Sequence, residues 1–232
     1  MTSLPVFAKT VHTIIFGDTR DESIGSGTKE NVRIVADWAH RVSQALAQIG
    51  YGESTHVFTG ADCTPENLLR VMDGLDCRED IVLFYYGGHG GRSVNDNSDY
   101  PRMCLGTSDP NRFVKISDIQ DIIEKKSPHF SIIIADCCNS YYDGDIPQSM
   151  MMPMGEHAAS REYPAKRVQK LFKDRGRVVG TGATKGEYGW INSMSGGFFT
   201  SSFLDSFNFS MGRKKETPSW NIIYKLYTSD DA

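Results

Sequence analysis

The chain has 232 residues, a formal charge of −4, 39% hydrophobic and 23% charged residues, which bounds it as a soluble globular chain with room for a full core. That balance leaves no basic footprint for nucleic acid, and no apolar run reaches the roughly 18 residues of a membrane span. Met1–Thr10 lacks the apolar stretch and small-residue cleavage site of a signal peptide.

Val11–Gly17 is rich in β-branched residues and predicts a buried strand. A loop with Gly17, Gly25 and Gly27 follows, and Thr28 is placed to cap a helix. Val32, Val35, Ala39, Val42, Leu46 and Ile49 mark its apolar face, and Gly50 stops it. His56–Thr59 predicts a short second strand, and Thr64-Pro65 opens a helix through Met72. Ile81–Tyr86 predicts the third strand, and Arg102–Gly106 a short strand or hairpin arm. Ser117-x-x-Gln120 has the form of a capping box for a helix to about Lys126. Phe130–Ala135 is apolar without alternation, the mark of a strand covered on both faces. Arg177–Thr181 predicts one more strand, while Gly197–Phe209 and Trp220–Tyr227 read as helices.

Strands separated by helices predict an α/β fold with a mostly parallel central sheet of about six strands and helices on both faces. We expect one domain over residues 1–232, with a long loop at about 139–176 interrupting the rhythm. That loop holds Met150, Met151, Met152 and Met154, either core filler or an apolar lip over a cleft. The basic residues Lys166, Arg167, Lys170, Lys173 and Arg175 follow, either a solvated helix face or a target for self-processing in the 161–176 stretch.

The cysteines are Cys63, Cys77, Cys104, Cys137 and Cys138, an odd set with two adjacent, which is a poor disulfide framework. A reducing, cytoplasmic setting is expected. No C-x-x-C pair is present and the histidines are scattered, so a structural metal centre is not expected.

Two apolar strands each deliver a reactive side chain just past their ends: His89 after Ile81–Tyr86, and Cys138 after Phe130–Ala135. In open α/β sheets the site lies beyond the carboxyl ends of the strands. A thiol and an imidazole there supply a nucleophile and its proton acceptor. They lie roughly 50 residues apart, close to the caspase spacing of histidine before cysteine. Glycines around His89 allow a close backbone approach, and the Gly90 and Cys138 N–H groups are candidate oxyanion donors. Cys137 is read as a packing residue on the other side of the strand end. Cys63, Cys77 and Cys104, and the five histidines other than His89, are given ordinary structural roles.

Tyr85-Tyr86-Gly87-Gly88-His89-Gly90-Gly91 resembles the Tyr-Ser-Gly-His-Gly-Gly segment of metacaspases. Asp136-Cys137-Cys138-Asn139-Ser140 is similar to their Asp-Cys/Ser-Cys-His-Ser-Gly segment, with Asn139 and Tyr141 as departures. Ser26-Gly27-Thr28, and Thr181–Glu187 followed by Gly196–Thr200, also look like parts of the caspase fold. The resemblance implies a caspase-like three-layer fold and a cysteine endopeptidase with a Cys138–His89 dyad, acting on protein or peptide substrates without a required cofactor. It places Asp136, and a position near Asn31, in a substrate pocket. A carboxylate there favours Arg or Lys before the scissile bond, although Asp136 has a rival role as a turn cap. Metacaspases often use calcium as activator, for which Asp96, Asp99 and Asp145 are the candidates, without the regular spacing of an EF-hand. The rival functions are a non-catalytic caspase-like binding or regulatory module, and a cysteine-dependent acyl transferase or amidase.

Overall fold

The computed structural model describes residues 9–142, 150–151, 162–213 and 215–228. In chain order these form β1 (Lys9–Gly17), α1 (Gly25–Ala47), β2 (Tyr51–Thr59), α2 (Pro65–Gly74), β3 (Ile81–Gly87), β4 (Gly90–Gly91), β5 (Arg102–Met103), β6 (Val114–Lys115), α3 (Ile116–Lys125) and β7 (Phe130–Asp136). There follow β8 (Met150–Met151), α4 (Ala165–Leu171), β9 (Gly176–Thr181), β10 (Trp190–Asn192), β11 (Gly196–Gly197), α5 (Phe198–Gly212) and α6 (Trp220–Thr228).

The central sheet has the order β2-β1-β3-β7-β9 and every pairing in it is parallel. Each return between parallel neighbours needs a crossover, and α1, α2, α3 and α4 supply them. β3 and β7 lie in the middle and every residue of both is buried, which is why neither alternates in sequence. On one face Ile81, Leu83, Tyr85, Ile132 and Ile134 pack against Val35, Trp38 and Leu46 of α1 and Phe203 and Phe207 of α5. The Trp38 ring meets Phe203 and Phe207 edge-on, both at 5.5 Å. On the other face Val82, Phe84, Tyr86, Ile133 and Ala135 meet Leu68 and Met72 of α2 and Ile119 and Ile123 of α3. The result is a three-layer α/β/α fold.

Several sequence expectations are corrected. The central sheet has five strands instead of about six, because the 102–106 region contributes only β5, which joins β4 and β6 in a small separate sheet. β2 begins at Tyr51, since it pairs along the whole of β1 from Lys9↔Tyr51 to Gly17↔Thr59. It is an edge strand with exposed polar residues, so its length carries no apolar signal. Thr28 lies inside α1, which starts at Gly25. Ser117 does not cap α3, whose first residue is Ile116, and Gln120 donates instead to Glu124. Thr64 does cap α2, accepting from the Asn67 N–H with Pro65 in the first turn.

Within 139–176, β8 and α4 are ordered elements. Met152, Met154 and His157 lie outside the described residues. Lys166, Lys170, Lys173 and Arg175 are exposed, whereas Arg167 donates to the Ser210 carbonyl. All five cysteines are free and buried. Among the described residues no helix is long and apolar enough to cross a membrane.

Candidate active site

β3 and β7 stay in register to their last pair, Gly87↔Asp136. Beyond the sheet the two chains continue side by side: Gly88 N–H donates to Asp136 O at 3.4 Å and Arg92 N–H to Ser140 O at 2.9 Å. A further parallel bridge joins Arg92 to Tyr141. One sequence offset relates 87 to 136, 92 to 141, and also 89 to 138. His89 and Cys138 thus stand on neighbouring segments just beyond the ends of β3 and β7.

The turn needs its glycines for space. A Cβ on Gly90 would stand 2.5 Å from Cys137 Sγ and 2.9 Å from Cys138 O. Gly88 has φ +156, and a Cβ there would meet the Tyr86 hydroxyl at 2.6 Å. That hydroxyl donates to His89 O at 2.6 Å and accepts from Leu105 N–H, fixing the backbone that carries the imidazole. Cys137 belongs to the α2/α3 core, where burial pushes its thiol pKa well up.

Cys138 is 0% exposed. Gly189 N–H donates to its sulfur at 3.3 Å, and a Cβ on Gly189 would come 3.2 Å from Cys138 N. Two backbone bonds tie this segment down, Gly186 N–H to Asn139 O and Asn139 N–H to Glu187 O, both 3.0 Å. The 186–189 segment therefore lies over both the sulfur and the N–H expected to hold an oxyanion.

His89 is 6% exposed, and its Nε2 lies 3.0 Å from Asp21 Oδ2. The other oxygen of Asp21 accepts from Ser23 N–H (2.8 Å), Ser23 Oγ (2.5 Å) and Ile24 N–H (3.0 Å) at the entrance to α1. Burial alone would raise the Asp21 pKa, but these donors and the charge of His89 outweigh it and hold the group at about 2. Asp18, in the same loop, is raised by burial and by the Asp21 charge. The sequence reading missed Asp21. Its only signal was a group of three acids, Asp18, Asp21 and Glu22, in the loop after the first strand.

Asp136 and Asn31 meet in the structure. Asp136 Oδ2 accepts from Thr200 N–H (3.0 Å), Thr200 Oγ1 (2.5 Å) and Asn31 Nδ2 (3.4 Å), and Asn31 Oδ1 accepts from Gly197 N–H (2.7 Å). Asp136 is thus a helix cap, but of α5 instead of its own turn. Burial raises its pKa against those hydrogen bonds. Among the described residues no lysine, arginine or histidine forms an ion pair with it. Cβ atoms on Gly182 and Gly197 would fall 2.7 and 2.0 Å from its oxygens, so only glycine fits at either place.

Asn139, where the resembled motif has histidine, is a hub. Its Oδ1 accepts from Arg92 Nη1 at 3.1 Å, and its Nδ2 donates to Asp99 O (2.8 Å) and Ala183 O (3.3 Å). A neutral imidazole offers one donor and one acceptor, and cannot make all three bonds. Arg92 is 0% exposed and also donates to the carbonyls of Asp96 and Ser98. Tyr141, the other departure, lays its ring 5.7 Å from the Arg92 guanidinium.

The calcium candidates do not share a visible ligand set. The Asp96 carboxylate is engaged by Arg102 (2.8 and 2.5 Å), Ser93 N–H and Lys115, and the Arg102 hydrogen bond above all holds its pKa at about 2. Asp99 contributes its backbone carbonyl to Arg92 and Asn139. Asp145 lies outside the described residues. Among the described residues no group of three or more His, Cys, Asp or Glu is placed to hold a metal ion.

A comparison with protein-family models matches residues 28–217 to the peptidase family described as the caspase domain. A search of curated proteins finds no match.

Proposed function

Since the chain belongs to the caspase-domain family of cysteine peptidases, we propose that it is an endopeptidase in which Cys138 is the nucleophile and His89 its proton acceptor. The observation that carries this reading is the shared register of β3 and β7, which sets both residues at one end of the sheet. In this scheme the Cys138 sulfur attacks the substrate carbonyl carbon and its proton passes to His89. The Gly90 and Cys138 N–H groups receive the oxyanion, each worth about 3 kcal/mol of barrier. His89 then protonates the leaving amine, and water attacks the thioester to release the acid and restore the thiol. Sulfur, imidazole and backbone supply every part, so the scheme requires no cofactor. Calcium is a candidate activator acting from outside the dyad.

A basic residue before the scissile bond is the preferred substrate. Asp136 is a buried carboxylate with donors but, among the described residues, no cation, and a substrate guanidinium supplies that charge. The exposed Lys166, Lys170, Lys173 and Arg175 on and after α4 are then candidate self-processing sites. One observation favours the rival of a non-catalytic module: the complete burial of Cys138.

Incubating the protein and its Cys138→Ala variant with a mixed peptide library, with and without calcium, separates these readings. The peptidase gives cuts after Arg or Lys that vanish in the variant. Cuts after other residues discard the basic pocket, and an intact library under both conditions supports the binding module.

A further inference from the structure

We propose that Asp21 is the positioning residue of His89, holding one ring nitrogen so that the other is presented to the sulfur and to the leaving group. The inference rests on the Cys138–His89 reading above and adds a third member to it.

The geometry separates the two oxygens of Asp21 by task. Oδ1 is immobilised by Ser23 N–H, Ser23 Oγ and Ile24 N–H, while the Asp21 carbonyl accepts from Gly25 N–H at 2.9 Å. These bonds seat the carboxylate at the entrance of a 23-residue helix, where the partial positive charge of the helix end favours an anion. Oδ2 is left facing His89 Nε2 at 3.0 Å. The imidazole itself is fixed at its backbone by Tyr86. A carboxylate oxygen only accepts, so a neutral His89 carries its proton on Nε2 and its lone pair on Nδ1.

The consequence for the reaction is specific. The Cys138 proton moves to Nδ1 as the sulfur electron pair forms the bond to the carbonyl carbon. The imidazolium created then lies between the departing amine and the Asp21 anion. When the C–N bond breaks, Nδ1 returns its proton to the amine nitrogen and the ring regains its Nε2–H form. Asp21 takes no proton at any step. It fixes the tautomer and stabilises the transient cation, as a buried aspartate does for the histidine of serine peptidases.

Asp21→Asn is the discriminating variant. Its amide oxygen still accepts from Ser23 and Ile24, so the entrance to α1 is kept, but its NH2 turned to Nε2 forces the opposite tautomer. Long-range proton–nitrogen correlation spectra of the protein carrying 15N-histidine, at a pH where the ring is neutral, report which nitrogen is protonated. His89→Gln identifies the signal. The wild type is expected to show Nε2–H and Asp21→Asn to show Nδ1–H. On a cleaved peptide, Asp21→Asn is expected to lower kcat on the order of 100-fold or more, with KM changed less than about threefold.

An Nδ1–H tautomer in the wild type overturns the inference, whatever becomes of the variant. If Cys138→Ala abolishes cleavage while Asp21→Asn leaves kcat unchanged, Asp21 is only a helix cap and the dyad stands. If the wild type cleaves nothing, the endopeptidase reading fails, and the tautomer alone decides whether Asp21 sets the ring.

Discussion

Asp21 and Asp136 are the same residue type doing the same local job, and their environments part them. Each presents a carboxylate at the start of a long helix, Asp21 at α1 and Asp136 at α5. Asp21 has a histidine on its second oxygen and is held at about 2. Among the described residues Asp136 has only neutral donors, and burial raises its pKa. A helix entrance can therefore stabilise an anion whose cation is already present, or keep one whose cation has yet to arrive. The first arrangement suits a residue that orients a catalytic group. The second suits the floor of a pocket for a basic side chain.

The largest test of this contrast is Asp136→Asn. If Asp136 awaits a substrate cation, kcat/KM for Arg and Lys peptides falls about 100-fold relative to neutral peptides, the scale of a charge-assisted bond. Equal losses on both peptide classes would make Asp136 a helix cap alone. Steady-state kinetics on matched peptides reads the difference.

Next in size is Gly197→Ala, whose Cβ would stand 2.0 Å from Asp136 Oδ2. The start of α5 must move or the carboxylate must leave its donors, costing about 1–3 kcal/mol in denaturant unfolding. Gly212→Ala in the same helix meets nothing within 4 Å and should leave the midpoint nearly unchanged.

Asn139→His restores the motif residue and sharpens the comparison from the far side of Cys138. The variant cannot serve Arg92, Asp99 and Ala183 together. A loss of about 1–3 kcal/mol is expected, because a buried donor or acceptor is left unmade. An equally stable variant would show that the Arg92 cluster does not depend on Asn139.

The smallest effect is in acid. Asp21 and Asp96 both titrate at about 2 when folded, below the ordinary 3.8. Their contribution is present above pH 4 and is lost as pH falls toward 2. Asp136, raised instead, opposes that trend. Unfolding of Asp96→Asn followed from pH 5 to pH 2 should show a shallower acid loss than the wild type.

What the sequence made legible follows the range of the interactions. β3 and β7 announce themselves through runs of apolar residues, and the placing of His89 and Cys138 just past their ends follows from the two motifs, whereas the register between the strands does not. Thr64 and Pro65 cap α2 through local bonds, and a local signal of that kind is visible in sequence. β2 shows only its end in sequence, because an edge strand needs little apolar surface. Asp21 reaches His89 across the gap between two loops, and nothing in the neighbourhood of either reveals the pairing. Gly189 over the sulfur is the same kind of case, a backbone contact with no side chain to mark it. Asn139 stands out in sequence as a departure, but its partners do not: one is a buried arginine from the other motif and two are carbonyls at least 40 residues away.

The central claim is that Cys138, alone of five buried thiols, is the nucleophile. The most direct measurement is intact-mass analysis and peptide mapping after treatment with an irreversible electrophilic peptide probe, offered with Arg or with a neutral residue before the reactive group. The account predicts one adduct, on Cys138, forming faster with the Arg probe and absent in His89→Gln over the same interval. An adduct on another cysteine, or none after prolonged exposure with and without calcium, would contradict it.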